Sequence, residues 1–97
     1  MKMSFMAAAR WEEREAAAWY RKENPELALR FRSELKQTLT RVITNPNQFP
    51  LIGFRERRAL LAVFPYAVVF ETTYEEILVI AIAHTSREPS YWRTRIG

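Results

Sequence analysis

Several residue types are missing or scarce in this chain, and each absence narrows the chemistry open to it. The 97 residues include no cysteine, which excludes disulfides, thiolate zinc sites and cysteine nucleophiles. All eleven acidic residues are glutamates, so a Ser-His-Asp triad and metal sites built on aspartate are also excluded. The two glycines, Gly53 and Gly97, cannot form a glycine-rich phosphate loop.

The chain also lacks the signals of metal binding, membrane insertion and secretion. His84 is the only histidine, so we expect no metal site, and no motif indicates a cofactor. No stretch approaches the ~20 apolar residues that a membrane-spanning helix needs. The N-terminal run "MKMSFMAAAR" ends at Arg10 and merges into a charged helical pattern, which is not typical of a signal peptide. We therefore expect a cytoplasmic protein that does not associate with a membrane.

A basic charge balance is the main positive feature of the composition. The net charge is +4 and the pI is about 9.9, which favours an anionic partner such as nucleic acid or an acidic protein segment. Twelve of the fifteen basic residues are arginines, whose forked side chains bind phosphates and carboxylates in two-pronged fashion. A codon bias towards arginine is an alternative explanation. The length predicts one domain over residues 1–97.

The first half of the sequence predicts a helical hairpin. "KMSF" is a candidate short strand, and residues 7–22 are rich in strong helix formers. Asn24 and Pro25 then form a helix start, as N-cap and first helical residue. Apolar residues recur from Leu27 to Ile43 in steps of three and four, and "NPNQFPLIG" at 45–53 ends this second helix. The short connection predicts an antiparallel pair of helices.

The second half changes to strand patterns. Residues 57–63, 67–73 and 76–84 are rich in β-branched and aromatic residues. The last run is almost continuously apolar, which predicts a central strand covered on both faces. We therefore predict an α+β fold, with the helical hairpin packed on a mainly antiparallel twisted sheet of three to four strands. The C-terminal "EPSYWRTR" is long enough only for a turn or a brief helix.

Candidate functional residues lie at the end of the 76–84 strand and before the 57–63 strand. His84 and Arg87 follow the former, and a basic group (Arg55, Arg57 and Arg58) begins the latter. If these segments converge, they form a cationic patch with Tyr91 and Trp92 available for stacking, which suits a nucleic-acid backbone. The alternatives are a structural histidine, an Arg87 paired with Glu88 or with a strand-end carbonyl, and a solvated basic loop with Tyr91 and Trp92 covering the edge of the core.

Helix one carries charges and aromatic residues that point to no chemistry. Ala9, Ala16, Ala17 and Tyr20 share one face, which Glu13 interrupts, so we expect Glu13 to lie at a boundary or to be paired. We interpret the charged group (Glu12, Glu13, Arg14 and Glu15) as a solvated face. Trp11 and Trp19 are interpreted as core or partner-facing residues.

The ordered motifs "AAAWY", "NPELALRFRSEL", "NPNQFP", "RRALLAVFPYAVVFE" and "ILVIAIAHTSREPSYW" resemble a known family over essentially the whole chain. The chain is similar to the RelE/ParE superfamily, the toxins of bacterial type II toxin–antitoxin systems, also called plasmid stabilisation proteins. The resemblance implies two N-terminal helices on a mainly antiparallel sheet. It also implies a cognate antitoxin and a toxin–antitoxin hetero-oligomer, with exposed apolar area on the helices or a sheet edge as the partner surface.

The superfamily contains two activities, and the resemblance implies different roles for the residues under each. In RelE-like ribonucleases, which cleave mRNA on the ribosome, arginines and a C-terminal Tyr or His act on the scissile phosphate. Arg58 matches that pattern and Arg87 and Tyr91 match it loosely, with His84 as a further proton-handling residue. No lysine follows Lys36, whereas such ribonucleases often use lysines.

The "HTSR" segment instead resembles the His-x-x-Arg ending frequent in ParE members, which poison DNA gyrase and lack the nuclease residues. This resemblance implies a ParE-like toxin that binds its target without cleaving RNA. The residues expected to contact the target are then Arg55, Arg57, Arg58, Arg87 and Trp92. The ribosome-dependent endoribonuclease and a non-toxic basic interaction domain are the alternatives.

Overall fold

The computed structural model describes residues 1–96 and has the predicted α+β architecture. Two long helices lie against one four-stranded sheet, and a short 3₁₀ helix ends the chain. In chain order the elements are β1 (Lys2–Phe5), α1 (Ala7–Glu23), α2 (Pro25–Thr44), a one-turn 3₁₀ helix (Pro46–Gln48), β2 (Glu56–Leu60), β3 (Tyr66–Thr72), β4 (Glu76–His84) and the C-terminal 3₁₀ helix (Tyr91–Ile96). Among these residues, no helix is long and apolar enough to cross a membrane.

Asn24 separates the two helices and belongs to the cap of each. Its N–H donates to the Tyr20 carbonyl at 2.8 Å, which ends α1. Its side-chain oxygen accepts a hydrogen bond from the Glu26 N–H at 2.9 Å, and Pro25 occupies the first position of α2. Proline fits there because that N–H would have no helical partner. The predicted hairpin and its cap are confirmed.

The sheet has the order β1-β4-β3-β2, and only the outer pair β1–β4 is parallel. The expectation of a mainly antiparallel sheet with a central 76–84 strand is therefore confirmed. The first long strand is shorter than the predicted 57–63, because the chain turns after Leu60. The Glu34 carboxylate of α2 accepts hydrogen bonds from the Val63 and Phe64 N–H groups at 2.8 and 3.2 Å and stabilises that turn.

The main core lies between the helices and one face of the sheet. Phe31 and Leu35 of α2 and the predicted alanine face of α1 pack there, with Ala9 and Ala17 fully buried. Aromatic rings from both layers also meet in this core. The Tyr20 and Phe64 rings lie 4.9 Å apart, edge to face. This geometry is the one in which aromatic pairs attract each other.

A β-bulge in β4 changes which side chains face the helices. Val69 pairs with Ala81 but Phe70 pairs with Val79, so Ile80 is an extra residue on β4. Before the bulge Val79 faces the helix-side core, and after it Ile82 does. Ile80 joins a second cluster on the opposite face of the sheet, which the C-terminal 3₁₀ helix covers. Both faces of β4 are therefore buried, as its sequence predicts.

Replacement of Asn24 by alanine should lower the free energy of unfolding by about 1 kcal/mol, because the Glu26 N–H loses its acceptor. Asn45→Ala is the matched control, because Asn45 ends α2 and its side chain makes no capping hydrogen bond. Urea unfolding of both variants measures the difference. Equal losses in the two variants would contradict the capping role of Asn24.

Candidate functional site

The C-terminal half of β4 has no neighbouring strand on the β1 side. The last residue pair between β1 and β4 is Phe5 with Val79, so β4 continues past β1 over residues 80–84. Two side chains take the place of the missing strand. The Ile82 N–H donates to Glu12 Oε1 at 3.0 Å, and Arg95 Nη1 donates to the Ile80 carbonyl at 3.0 Å. Two backbone groups of this edge, the Ile82 N–H and the Ile80 carbonyl, thus have an acid and a base as partners.

Glu12 and Arg95 also bind each other in a two-pronged ion pair. The Arg95 nitrogens lie 2.8 and 2.9 Å from the two Glu12 oxygens, and the Tyr91 hydroxyl donates to Glu12 Oε2 at 2.7 Å. Burial alone would raise the pKa of the Glu12 carboxyl, but the hydrogen bonds from Arg95, Tyr91 and Ile82 outweigh it and the pKa lies below its ordinary value. Glu12 is therefore an anion held by four hydrogen bonds.

The prediction that Glu12 belongs to a solvated face is wrong, because only 9% of this residue is exposed. Both Glu12 and Glu13 lie three or four residues from Ala9 and from Ala16, so helical spacing cannot tell which glutamate points inward. The partner that decides, Arg95, is 83 residues away in the chain. Glu13 is half-buried, as expected for a boundary position, and its Oε1 lies 3.6 Å from Arg10 Nη1.

The Tyr91 ring lies close to two arginines. The Arg87 guanidinium is 3.8 Å from the centre of the Tyr91 ring, and that of Arg95 is 5.1 Å from it. Burial and the hydrogen bond to Glu12 both raise the pKa of the Tyr91 hydroxyl. Tyr91 is thus held at its hydroxyl by Glu12, and its ring supports Arg87.

His84 faces the helix side of the sheet, because it follows the bulge. Its ring packs edge to face on Tyr66 at 5.0 Å. His84 Nδ1 accepts a hydrogen bond from the Ser86 N–H at 3.0 Å and lies 2.7 Å from the Ser86 hydroxyl. An acceptor carries no proton, so in the neutral ring the proton is on Nε2. His84 therefore holds the turn after β4 and leaves one ring nitrogen for other partners.

Two cavities adjoin this strand end. The first, here called the cleft, has a volume of about 510 Å³ and is lined by residues including Ala16, Ala18, Trp19, Tyr66, His84 and Arg87. The second, here called the groove, has a volume of about 160 Å³ and lies on the sheet face opposite the helices. Its lining includes Arg58, His84, Arg87, Tyr91, Trp92 and Arg93. His84, Arg87 and Tyr91 line both cavities.

The structure brings together part of the predicted site. Arg58 reaches the groove, although β3 separates its strand from β4. Arg57 points to the opposite face, because side chains alternate along a strand, and its Nη1 donates to the Phe49 carbonyl at 2.6 Å. Arg55 is exposed beside the Phe54 ring and does not line the groove. Among the three predicted arginines of this group, only Arg58 joins His84 and Arg87.

The three tryptophans differ in burial. Trp92 is only 1% exposed and packs in the second core cluster, so its indole supports the groove from below and offers no free face for stacking. Trp11 and Trp19 are 57% and 61% exposed, so neither is a core residue. The alternative interpretation of these two as partner-facing residues remains a prediction.

The groove is strongly cationic. Arg58, Arg87 and Arg93 line it, and none of the three forms an ion pair within residues 1–96. The one acidic residue in the lining, Glu88, accepts a hydrogen bond from the Ser90 hydroxyl at 2.8 Å. Sequence reasoning missed Arg93, which joins Arg58 in the groove because the C-terminal 3₁₀ helix packs on this face of the sheet. In the same described part of the chain, no cluster of residues could hold a metal ion.

Glu12→Gln should lower the free energy of unfolding at pH 7 by about 2–3 kcal/mol, because it leaves the Arg95 charge without its partner in a largely buried position. Glu15→Gln is the matched control, since Glu15 is exposed on the same helix and borders the same cleft. We expect that control to stay within about 0.5 kcal/mol of the original protein. Urea unfolding measures both, and similar losses would contradict a special role for Glu12.

The stability contribution of Glu12 should disappear in acid. The folded-state pKa of this carboxyl lies below its ordinary value of 4.5, so folding favours the ionised form. Its contribution is therefore complete above about pH 4.5 and decreases as the pH falls through the folded-state pKa. The difference in unfolding free energy between the original protein and Glu12→Gln should shrink from pH 7 to pH 3. A difference that is constant over this range would show that Glu12 does not titrate with unfolding.

Comparisons with known proteins agree with this architecture. The family model described as "ParE toxin of type II toxin-antitoxin system, parDE" matches residues 4–89. Nine chains of solved structures also match. One belongs to a structure described as "Chromosomal ParDE TA system from P. aeruginosa", with a TM-score of 0.76 and 19% sequence identity. The match covers 87% of this chain and 95% of that chain, and at this identity it concerns the fold.

No curated protein sequence gives a significant match. The family model nevertheless spans most of the chain, including both helices and all four strands except the first two residues of β1. The chain therefore belongs to the ParE toxin family of type II toxin–antitoxin systems.

Proposed function

We propose that this protein inhibits bacterial growth by poisoning DNA gyrase, and that a cognate antitoxin neutralises it. Membership of the ParE family supports the toxin part of this proposal. The observation that carries the choice of surface is the cationic groove, where three arginines without carboxylate partners surround one cavity. Such arginines bind carboxylates or phosphates in a fixed, two-pronged geometry, as a protein or DNA surface requires.

Family membership favours poisoning by binding over RNA cleavage, and the bonding of Tyr91 agrees with that choice. The residues expected of a ribonuclease (Arg58, His84, Arg87 and Tyr91) do line the groove together, so this second candidate is chemically specific. Cleavage also needs groups that accept and donate protons near neutral pH. The Tyr91 hydroxyl is committed to Glu12, and its pKa is raised by burial and by this hydrogen bond. Tyr91 is therefore a poor general base, and its ring serves to support Arg87.

The proposed antitoxin requires a separate surface, and the helices offer one. Trp11, Trp19 and Leu29 are large apolar residues that are each more than half exposed on α1 and α2. Exposed aromatic residues of this size are typical of protein interfaces. We propose that the antitoxin covers part of this surface in a toxin–antitoxin hetero-oligomer. Action on gyrase places the toxin in the cytoplasm.

Induction of the protein in bacteria, followed by assays of purified gyrase, tests the proposed target. We expect growth arrest, intact mRNA and accumulation of gyrase–DNA cleavage complexes. If a small reading frame lies immediately upstream of the toxin gene, its co-expression should restore growth. Specific mRNA cleavage that Arg87→Ala abolishes would instead establish the ribonuclease, and absence of growth arrest would favour a non-toxic interaction domain.

Substitutions within the predicted basic group test the role of the groove. Arg58→Ala and Arg87→Ala should each weaken inhibition of gyrase about 10-fold or more, since an ionic hydrogen bond contributes about 1.5–3 kcal/mol. Arg55→Ala is the matched control, because Arg55 belongs to the same sequence cluster but does not line the groove. The measurement is the toxin concentration that gives half-maximal inhibition of supercoiling. A loss in Arg55→Ala as large as in Arg58→Ala would move the target surface away from the groove.

A further inference from the structure

The open edge of β4 is only partly satisfied by Glu12 and Arg95. These side chains bind the Ile82 N–H and the Ile80 carbonyl. In an extended strand the N–H and carbonyl of one residue point to the same side, and so do those of the residue two positions away. The Ile82 carbonyl and the His84 N–H therefore face the same edge, beyond the last group that the ion pair covers.

The contacts of the next turn support this direction. The Thr85 N–H donates to the Pro65 carbonyl at 2.9 Å. The backbone N–H and carbonyl groups of residues 83 and 85 therefore point towards β3, and those of residues 82 and 84 point away from it. Within residues 1–96, no neighbouring element on that side donates a hydrogen bond to the Ile82 carbonyl or accepts one from the His84 N–H. An unpaired donor and acceptor on a strand edge form a template for another strand.

The cleft beside this edge has apolar walls and a basic rim. Ala16, Ala18 and the exposed Trp19 of α1 form one wall, opposite Tyr66 of β3. The volume of about 510 Å³ is in the range of ligand-binding sites, so the space can take side chains as well as backbone.

The charged residues that border the cleft indicate what charge a bound segment should carry. Lys22 and Arg87 border the cleft, and neither forms an ion pair in the described part of the chain. Of the acidic residues in the lining, Glu12 is neutralised by Arg95, which leaves Glu15 as the single free carboxylate. The rim therefore favours a segment that carries negative charge.

We infer that the cleft is a docking site for an extended acidic peptide segment of a partner protein, which adds a short strand to β4 at Ile82 and His84. A backbone N–H of the segment donates to the Ile82 carbonyl, and one of its carbonyls accepts from the His84 N–H. Because side chains alternate along a strand, apolar side chains of the segment pack on Trp19 in the cleft, and its carboxylates point to the opposite face of the sheet, which Arg87 also reaches. The partner is the antitoxin only if the proposed function holds, whereas the docking chemistry stands without it.

The test uses the ¹⁵N-labelled full chain and a five-residue peptide that alternates glutamate with valine and has blocked ends. We expect the amide signal of His84 to shift and its hydrogen exchange to slow at least 5-fold at saturation. Two control peptides have the same length: one is N-methylated at both valines, and the other has lysine in place of glutamate. Each should bind at least 10-fold more weakly, because the first lacks the backbone donors and the second reverses the charge.

Two tryptophan variants separate the cleft from the rest of α1. Trp19→Ala should weaken binding of the glutamate–valine peptide at least 5-fold, whereas Trp11→Ala should change it less than 2-fold. The two residues are almost equally exposed on one helix, but only Trp19 lines the cleft. The amide spectrum of each variant shows whether it is folded.

Three results would overturn the inference: equal binding of the N-methylated peptide, no shift at His84 up to 5 mM peptide, or shifts confined to β1 or β2. The proposed function fails independently of these results. If the protein neither arrests growth nor traps gyrase, but the peptide binds at His84, the docking site stands and the toxin mechanism does not. If growth arrest occurs and His84 is unaffected by the peptide, the docking site alone is rejected.

Discussion

The ion pair between Glu12 and Arg95 joins three distant parts of this small protein. It links the first helix to the end of the central strand and to the C-terminal 3₁₀ helix, and it supplies the hydrogen bonds that β1 would have made had it been longer. Buried ion pairs contribute modestly to net stability but are costly to break on one side. Here the pair also fixes Tyr91, so the position of Arg87 depends on a carboxylate of another element.

The two cavities lie on opposite faces of the same strand end and share three lining residues, His84, Arg87 and Tyr91. Each of these is held differently: His84 by the Ser86 turn, Arg87 by stacking on Tyr91, and Tyr91 by Glu12. Arg87 is the most exposed of the three and has no carboxylate partner among the described residues. Its guanidinium can therefore respond to an anion on either side with little loss of internal contacts.

Sequence patterns over a few residues predicted the helices and strands well. The features they missed depend on contacts between residues that are far apart in the chain. Asn24 is recognisable as a cap because its partner, the Glu26 N–H, is two residues away. The inward direction of Glu12 depends on an arginine at the other end of the chain. The bulge at Ile80 is set by packing between strands and reverses the facing of His84, which no alternation pattern reveals. The lining of the groove therefore could not be predicted without the strand register, whereas the layers of helices and strands could be predicted from the sequence.

Arg87 lines both cavities, which limits the substitutions that can alter one cavity without the other. Arg58 and Arg93 line only the groove, and Trp19 and Lys22 line only the cleft, so substitutions there alter one surface at a time. Any substitution of Arg87 alters both at once. A new partner on one face can therefore be accommodated by substitutions at Arg58 and Arg93, or at Trp19 and Lys22, without changing the other cavity. A substitution of Arg87 must be compatible with the partners of both cavities.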